Sequence, residues 1–170
     1  MKNIVKLVIA IVFVAMCNNV SAQKLAHISM QELITAMPEY EKAMAEFQKI
    51  QDSLGKNLEE LQVEYRRKLD EYSKNQEGWT ELVKQSKIDE IQSMERRIQA
   101  FQEGAQESLQ QEYTKLLQPV LEKANKAVDA VAKEKGVEYV ISADNQILVF
   151  KAVGTLDLLP AVKQHLGIKN

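Results

Sequence analysis

Between residues 39 and 74 the apolar side chains fall at Tyr40, Met44, Phe47, Ile50, Leu54, Leu58, Leu61, Tyr65, Leu69 and Tyr72, every step three or four residues long. After a polar interruption the same spacing returns at Ile88, Ile91, Met94, Ile98, Phe101, Ala105, Leu109, Tyr113, Leu116, Val120, Ala124, Val128 and Val131. A helix turns once every 3.6 residues, so each stretch carries one narrow apolar seam at coiled-coil spacing. The positions between are filled mainly by Glu, Lys, Arg and Gln, which favour helix and sit well in water. Asn75 and Gly78 interrupt the pattern, and Thr80 is placed to cap the next helix. The spacing predicts an antiparallel coiled-coil hairpin over residues 39–135, with its tip near 75–81. Its seam is one side chain wide, too thin to enclose a pocket of enzyme dimensions.

Three residues disturb the helices on paper. Pro119 removes the backbone bond to residue 115 and is expected to bend the second helix. Gly55 and Gly104 stand within about one helical turn of the same height in the hairpin. They read as tolerated exposed glycines, with a paired flexible point in the arm as the sharper alternative.

Lys133, Lys135 and Gly136 form a helix ending: two cations facing the negative end of the helix dipole, then a residue free to turn left-handed. Beyond it Val137 to Ser142 reads as a strand, Ala143 to Asn145 as a turn and Gln146 to Lys151 as a second strand, together a β-hairpin. Lys24 to Ser29 is a further strand candidate. Asp157 is placed to cap a final helix, Leu158 to Leu166, with Pro160 in its first turn and Gly167 after it. The pieces outside the arm, residues 23–38 and 136–170, hold only about fifty residues, too few for a self-sufficient core without metal, disulfide or partner subunits. With one cysteine and two histidines in the chain, partner subunits remain, and association would also close the unpaired strand edges. The predicted fold is α+β, mostly α: a long antiparallel coiled-coil helical hairpin on a small β-strand head that oligomerises. Ile28, Tyr139, Ile141, Leu148 and Phe150 are the candidate contact residues of that head.

The first twenty-two residues follow another rule. Lys2 and Lys6 make a positive start, Leu7 to Met16 is uninterrupted apolar, and Val20, Ser21 and Ala22 are small residues at a cleavage site. This reads as a secretory signal peptide cut after Ala22. Its apolar run is about half the roughly 20 residues a membrane-crossing helix needs, and no later stretch comes close, so no integral membrane span is expected. Cys17, the only cysteine, leaves with the peptide; lipidation there is disfavoured because Met16 is not the small residue that lipoprotein processing prefers. Removing 1–22 leaves twenty basic against twenty-four acidic residues, a net charge near −4 with the signs interspersed. That balance argues against nucleic acid as a partner.

Reactive chemistry is sparse. His27 and His165 are far apart with no ligand spacing, so no metal is expected. The pattern Gly-x-x-x-x-Gly-Lys-Ser/Thr is missing, and Ser, His and Asp form no arrangement suited to nucleophilic catalysis. No catalytic residue, cofactor or metal is assigned, and the chain is not expected to be an enzyme. Arg66, Arg67 and Lys68 are followed by Asp70 and Glu71 and read as a solvated helix face.

The order of signal peptide, strand, long helical hairpin, two strands and short Asp-capped helix resembles the Skp/OmpH family of periplasmic chaperones across the whole mature chain. The features that carry the resemblance are Lys24-Leu25-Ala26-His27-Ile28-Ser29-Met30, Gly136-Val137-Glu138-Tyr139-Val140-Ile141, and Asp157-Leu158 with Val162. The resemblance implies a periplasmic homotrimer whose strands join in a central β-barrel and whose three arms enclose a cavity. It implies an ATP-independent holdase that binds unfolded outer-membrane β-barrel proteins and prevents their aggregation during transit. Trp79 at the arm tip is then a candidate client contact, or else it caps the turn by packing on Leu82 or Val83. The chain departs from the family pattern in being slightly acidic where better-known members are strongly basic, which makes lipopolysaccharide a doubtful ligand. It also has Leu159 where the family often has Thr. The rival reading is an envelope structural or adaptor protein whose hairpin docks on one folded partner.

Overall fold

The computed structural model describes residues 24–144 and 154–168. The expected signal peptide, residues 1–22, and the predicted strand Gln146 to Lys151, with Leu148 and Phe150, lie outside the described residues. The elements run β1 (Leu25–Ile28), α1 (Met30–Thr35), α2 (Pro38–Asn75), a 3-10 turn (Gln76–Gly78), α3 (Glu81–Lys135), β2 (Tyr139–Ser142), β3 (Leu156–Asp157) and α4 (Leu159–His165). They divide into two units: Glu32–Asn125, the arm, and the residues up to Gln31 and from Lys126 onward, the head.

Within the arm, Met37 is extended (φ −79°, ψ 132°), the conformation favoured before proline, and Pro38 opens α2 where its missing N–H costs nothing. The predicted cap at the second helix is present, with Val83 N–H donating to Thr80 Oγ1 at 3.4 Å. Contacts between α2 and α3 climb one helix as they descend the other. Lys123 binds Glu39, Phe47 meets Tyr113 edge-on with centroids 5.3 Å apart, Tyr65 donates to Glu95, Lys68 binds Glu90 at 2.8 Å and Lys87 binds Glu71 at 3.0 Å. This is the antiparallel hairpin the seam predicts. Most seam positions are only half covered because two helices cannot surround a side chain; Leu61, Met94, Val120 and Ala124 are the buried ones on the predicted list in this unit, joined by Ala43. Leu69 and Tyr113, read as seam, are exposed. α3 runs on through Pro119, and Gly55 and Gly104 are exposed with open space where a Cβ would stand.

Much of the glutamine on the arm is in use. Gln48 donates to Asp52, Gln85 to Asp89, Gln99 to Glu103, Gln111 to Glu107 and Gln118 to Glu122, each four residues along its helix. Such pairs support an exposed helix face with one charge where a salt bridge uses two.

In the head, α3 ends as predicted. Gly136 turns left-handed at φ +64°, its N–H donating to the Lys133 carbonyl at 3.1 Å while Val137 N–H reaches Ala132 at 2.9 Å. The sheet has the order β2-β1-β3 with β1 parallel to both neighbours. Leu25, Ala26, His27 and Ile28 stand beside Tyr139, Val140, Ile141 and Ser142, and Ala26 and His27 also stand beside Leu156 and Asp157. Ala26, Ile28, Ala127, Val131, Leu158 and Val162 form the buried apolar core. α4 follows β3 after Leu158, which holds the N-cap position without a side-chain cap, so Asp157 stands one residue before the cap the sequence assigns it, although its Oδ1 accepts from Leu159 N–H at 3.0 Å.

Two elements were not expected. α1 has six residues and one buried side chain, Leu33, too little periodicity to stand out. β3 has two residues, and its parallel pairing with β1 leaves no alternation to read.

Candidate functional site

Side chains alternate across a strand, and parallel partners in register point the same way. One face of the sheet therefore carries Leu25, His27, Tyr139, Ile141 and Asp157, and the other carries Ala26, Ile28, Val140, Ser142 and Leu156. The second face includes the covered core residues. The first presents Leu25 at 52%, Tyr139 at 58% and Ile141 at 37% exposure side by side. Of the five candidate head residues, Tyr139 and Ile141 lie together on this open face, Ile28 is 1% exposed and points the other way, and Leu148 and Phe150 fall outside the described residues. Leu25 belongs with Tyr139 and was not singled out from the sequence.

His27 is buried on the same face, its Nε2 3.8 Å from Asp157 Oδ2. The other oxygen of Asp157, Oδ1, accepts from the backbone at the start of α4.

At the arm tip Trp79 is half-buried. Its ring meets Tyr72 edge-on, with centroids 5.9 Å apart at 63°, and the Lys87 ammonium lies 5.8 Å from its centre. Lys87 also binds Glu71 at 3.0 Å, and that bond holds its pKa above the ordinary lysine value. Trp79 is therefore part of a small tip cluster built on α2 and α3. Leu82, at 82% exposure, is the most open large apolar side chain among the described residues.

Two of the basic triplet are tied into the helices, Arg67 to Glu71 at 3.7 Å and Lys68 to Glu90 at 2.8 Å. The Lys68 hydrogen bond holds the Glu90 carboxyl below the usual carboxylate range. The depression lined by Lys56, Glu60, Val63 and Arg67 lies along α2 alone and is open surface, not a cavity. Among the described residues no group of three or more His, Cys, Asp or Glu side chains could hold a metal, and no helix is long and apolar enough to cross a membrane.

A thin helical hairpin and a small parallel sheet can serve many proteins, and the comparison with known families decides between them. The profile of the family described as outer membrane protein (OmpH-like) matches residues 24–166. This chain belongs to the OmpH-like family. The matched span of the OmpH-like chain holds both long helices, all three strands and α4. Among solved structures, a protein from Caulobacter crescentus CB15 named as a candidate OmpH-like outer membrane chaperone superposes with a TM-score of 0.75. The similarity covers 86% of this chain and 85% of that one at 12% identity, which carries the fold alone. No curated protein matches the sequence.

Proposed function

We propose that this OmpH-like chain is a periplasmic, ATP-independent holdase, exported by residues 1–22, that binds unfolded outer-membrane β-barrel proteins and keeps them from aggregating in transit. The observation that carries the reading is the family match over residues 24–166. The working unit is a homotrimer joined through the head. A sheet face bearing Leu25, Tyr139 and Ile141 supports self-association, because adjacent apolar side chains left in water mark contact surfaces.

The mechanism needs no reactive group. An unfolded client exposes apolar segments, and separating it from other clients blocks the collisions that lead to aggregates. Holding an unfolded state opposes folding by mass action, so the contacts must be many and individually weak. The arm suits this: half-covered seam residues such as Phe47 and Phe101 alternate with glutamines and carboxylates already satisfied by one another. Trp79 and Leu82 are the proposed contacts at the tip. With a net charge near −4 after signal removal, attraction of clients rests on apolar contact more than on a basic cavity.

Co-sedimentation of the mature protein with a fluorescent, urea-unfolded outer-membrane β-barrel protein tests the reading. One client should travel with one homo-oligomer, and a folded soluble protein of similar size should not. Stoichiometric binding to a folded envelope protein, with none to unfolded barrels, would favour the adaptor role instead.

A further inference from the structure

Tyr113, Leu117 and Leu121 recur every four residues along α3. A four-residue step overshoots one helical turn, so the row drifts from the seam at Val120 onto one flank of the hairpin. Tyr40 and Met44 drift in the same sense on α2, and in an antiparallel pair rows that drift alike emerge on the same side. Tyr113 meets Phe47 edge-on there, with centroids 5.3 Å apart. Lys123, only three residues on from Val120, falls short of a turn and stands on the opposite flank, where it binds Glu39. At this height the two flanks therefore differ in kind, ion-paired on one and apolar on the other.

The apolar flank is partly open. Tyr113 is 36% and Leu121 40% exposed, while Tyr40, Met44, Phe47 and Leu117 are half-buried. All six belong to the unit Glu32–Asn125. Polar side chains nearby are engaged with one another: Gln48 donates to Asp52 at 2.9 Å, Gln118 to Glu122 at 3.2 Å and Lys115 to Glu112 at 3.2 Å. A ligand on this flank therefore draws its affinity from apolar contact. Size narrows the choice further. A fully buried aromatic covers about 150–250 Å², so the open parts of these six side chains amount to on the order of 300 Å². Counted on both partners that is about 600 Å², half of the roughly 1,200 Å² at which stable interfaces between folded proteins begin. It is too little to hold a second copy of the chain. From Tyr113 to Leu121 the helix rises about 12 Å, the length of about four residues of extended chain.

We propose that the flank bearing Tyr113, Leu117 and Leu121, with Tyr40, Met44 and Phe47 beside them, is a binding site for short apolar segments of unfolded polypeptides, separate from the tip contacts Trp79 and Leu82. It rests on the holdase reading and gives it a second, defined point of attachment.

The test measures the affinity of the mature full-length protein for two fluorescent probes, a urea-unfolded outer-membrane β-barrel protein and a reduced, carboxymethylated soluble protein. Leu121→Ser removes an exposed apolar side chain without adding charge, and Gln118→Ser is the control on a neighbouring polar position. Leu121→Ser should weaken binding of both probes about tenfold, with its helical circular dichroism unchanged, and Gln118→Ser should leave it within about twofold. Wild-type affinity in Leu121→Ser, or an equal loss in Gln118→Ser, would overturn the site. A second measurement needs no loss of side chain from the row: a photoreactive benzophenone residue is introduced at Gln110, beside the row, or at Lys115, away from it. Both positions are exposed. Cross-links to the probe should come chiefly from Gln110. Equal yields from the two positions, or cross-links from Gln110 chiefly to a second copy of the chain, would contradict the proposal. Binding of neither probe by the wild type would sink the holdase reading and the site together, whereas firm wild-type binding that Leu121→Ser does not change sinks the site alone.

Discussion

Tyr139→Glu separates the stability of one chain from the assembly of several. Tyr139 is 58% exposed on the open face of the sheet, beside Leu25 in the register of β1 and β2. A tyrosine fully buried removes about 150–250 Å² from water, so the part of Tyr139 still open is on the order of 100 Å². At about 25 cal/mol per Å², covering it in an interface stabilises by about 2.5 kcal/mol per copy. Glutamate forgoes that gain and adds the cost of drawing a carboxylate out of water. Over the three copies of the proposed homotrimer the loss is at least about 7 kcal/mol, roughly five orders of magnitude in the assembly constant. In an isolated chain the same exposed substitution changes stability by only about 0.5 kcal/mol. Sedimentation at low micromolar concentration should give a multi-chain mass for the wild type and a single-chain mass for Tyr139→Glu, with the helical circular dichroism signal of the two alike. A variant that keeps the wild-type mass at the same concentration would refute the reasoning from the open face.

Three further outcomes follow from the packing and the charges. Leu61→Ala, at a buried seam position, is expected to cost about 2–3 kcal/mol in urea denaturation, near the low end for such changes because water can reach a two-helix seam, whereas Val63→Ala on the exposed side should stay within about 0.5 kcal/mol. Gly55→Ala and Gly104→Ala have open space for the new methyl and should each stabilise by about 0.5–1 kcal/mol; a lowered urea midpoint for either would mean the glycine has a role that packing does not reveal. Glu39, held low first by the Lys123 hydrogen bond, and Asp144 both have folded-state pKa values below their unfolded ones. Their contribution is full above the unfolded values and is lost as pH falls through the folded ones, so the melting temperature should drop below about pH 4, less steeply in Asp144→Asn.

The arm was legible because a three-or-four spacing held over dozens of residues has one physical reading, and because the Gly136 stop and the Thr80 cap are local chemistry. Burial along the seam was less legible: Ala43 is covered while Leu69 is exposed, since depth depends on which residue of the facing helix lies opposite. The head was harder. The parallel pairing of β1 with β2 and β3 joins segments more than a hundred residues apart, and nothing in a four-residue strand specifies direction. Asp144 read as a turn residue because its partners Ser29 and Gln31 are distant in sequence. Tyr139 and Ile141 were picked out as apolar residues of an undersized head, but their common open face, with Leu25 beside them, required the register.

Holdase activity itself is tested most directly by light scattering. A urea-unfolded outer-membrane β-barrel protein is diluted into buffer containing the purified mature chain and no nucleotide. Scattering should be suppressed in proportion to chaperone concentration, saturating near one oligomer per client. Undiminished scattering at a clear excess of the oligomer would contradict the account.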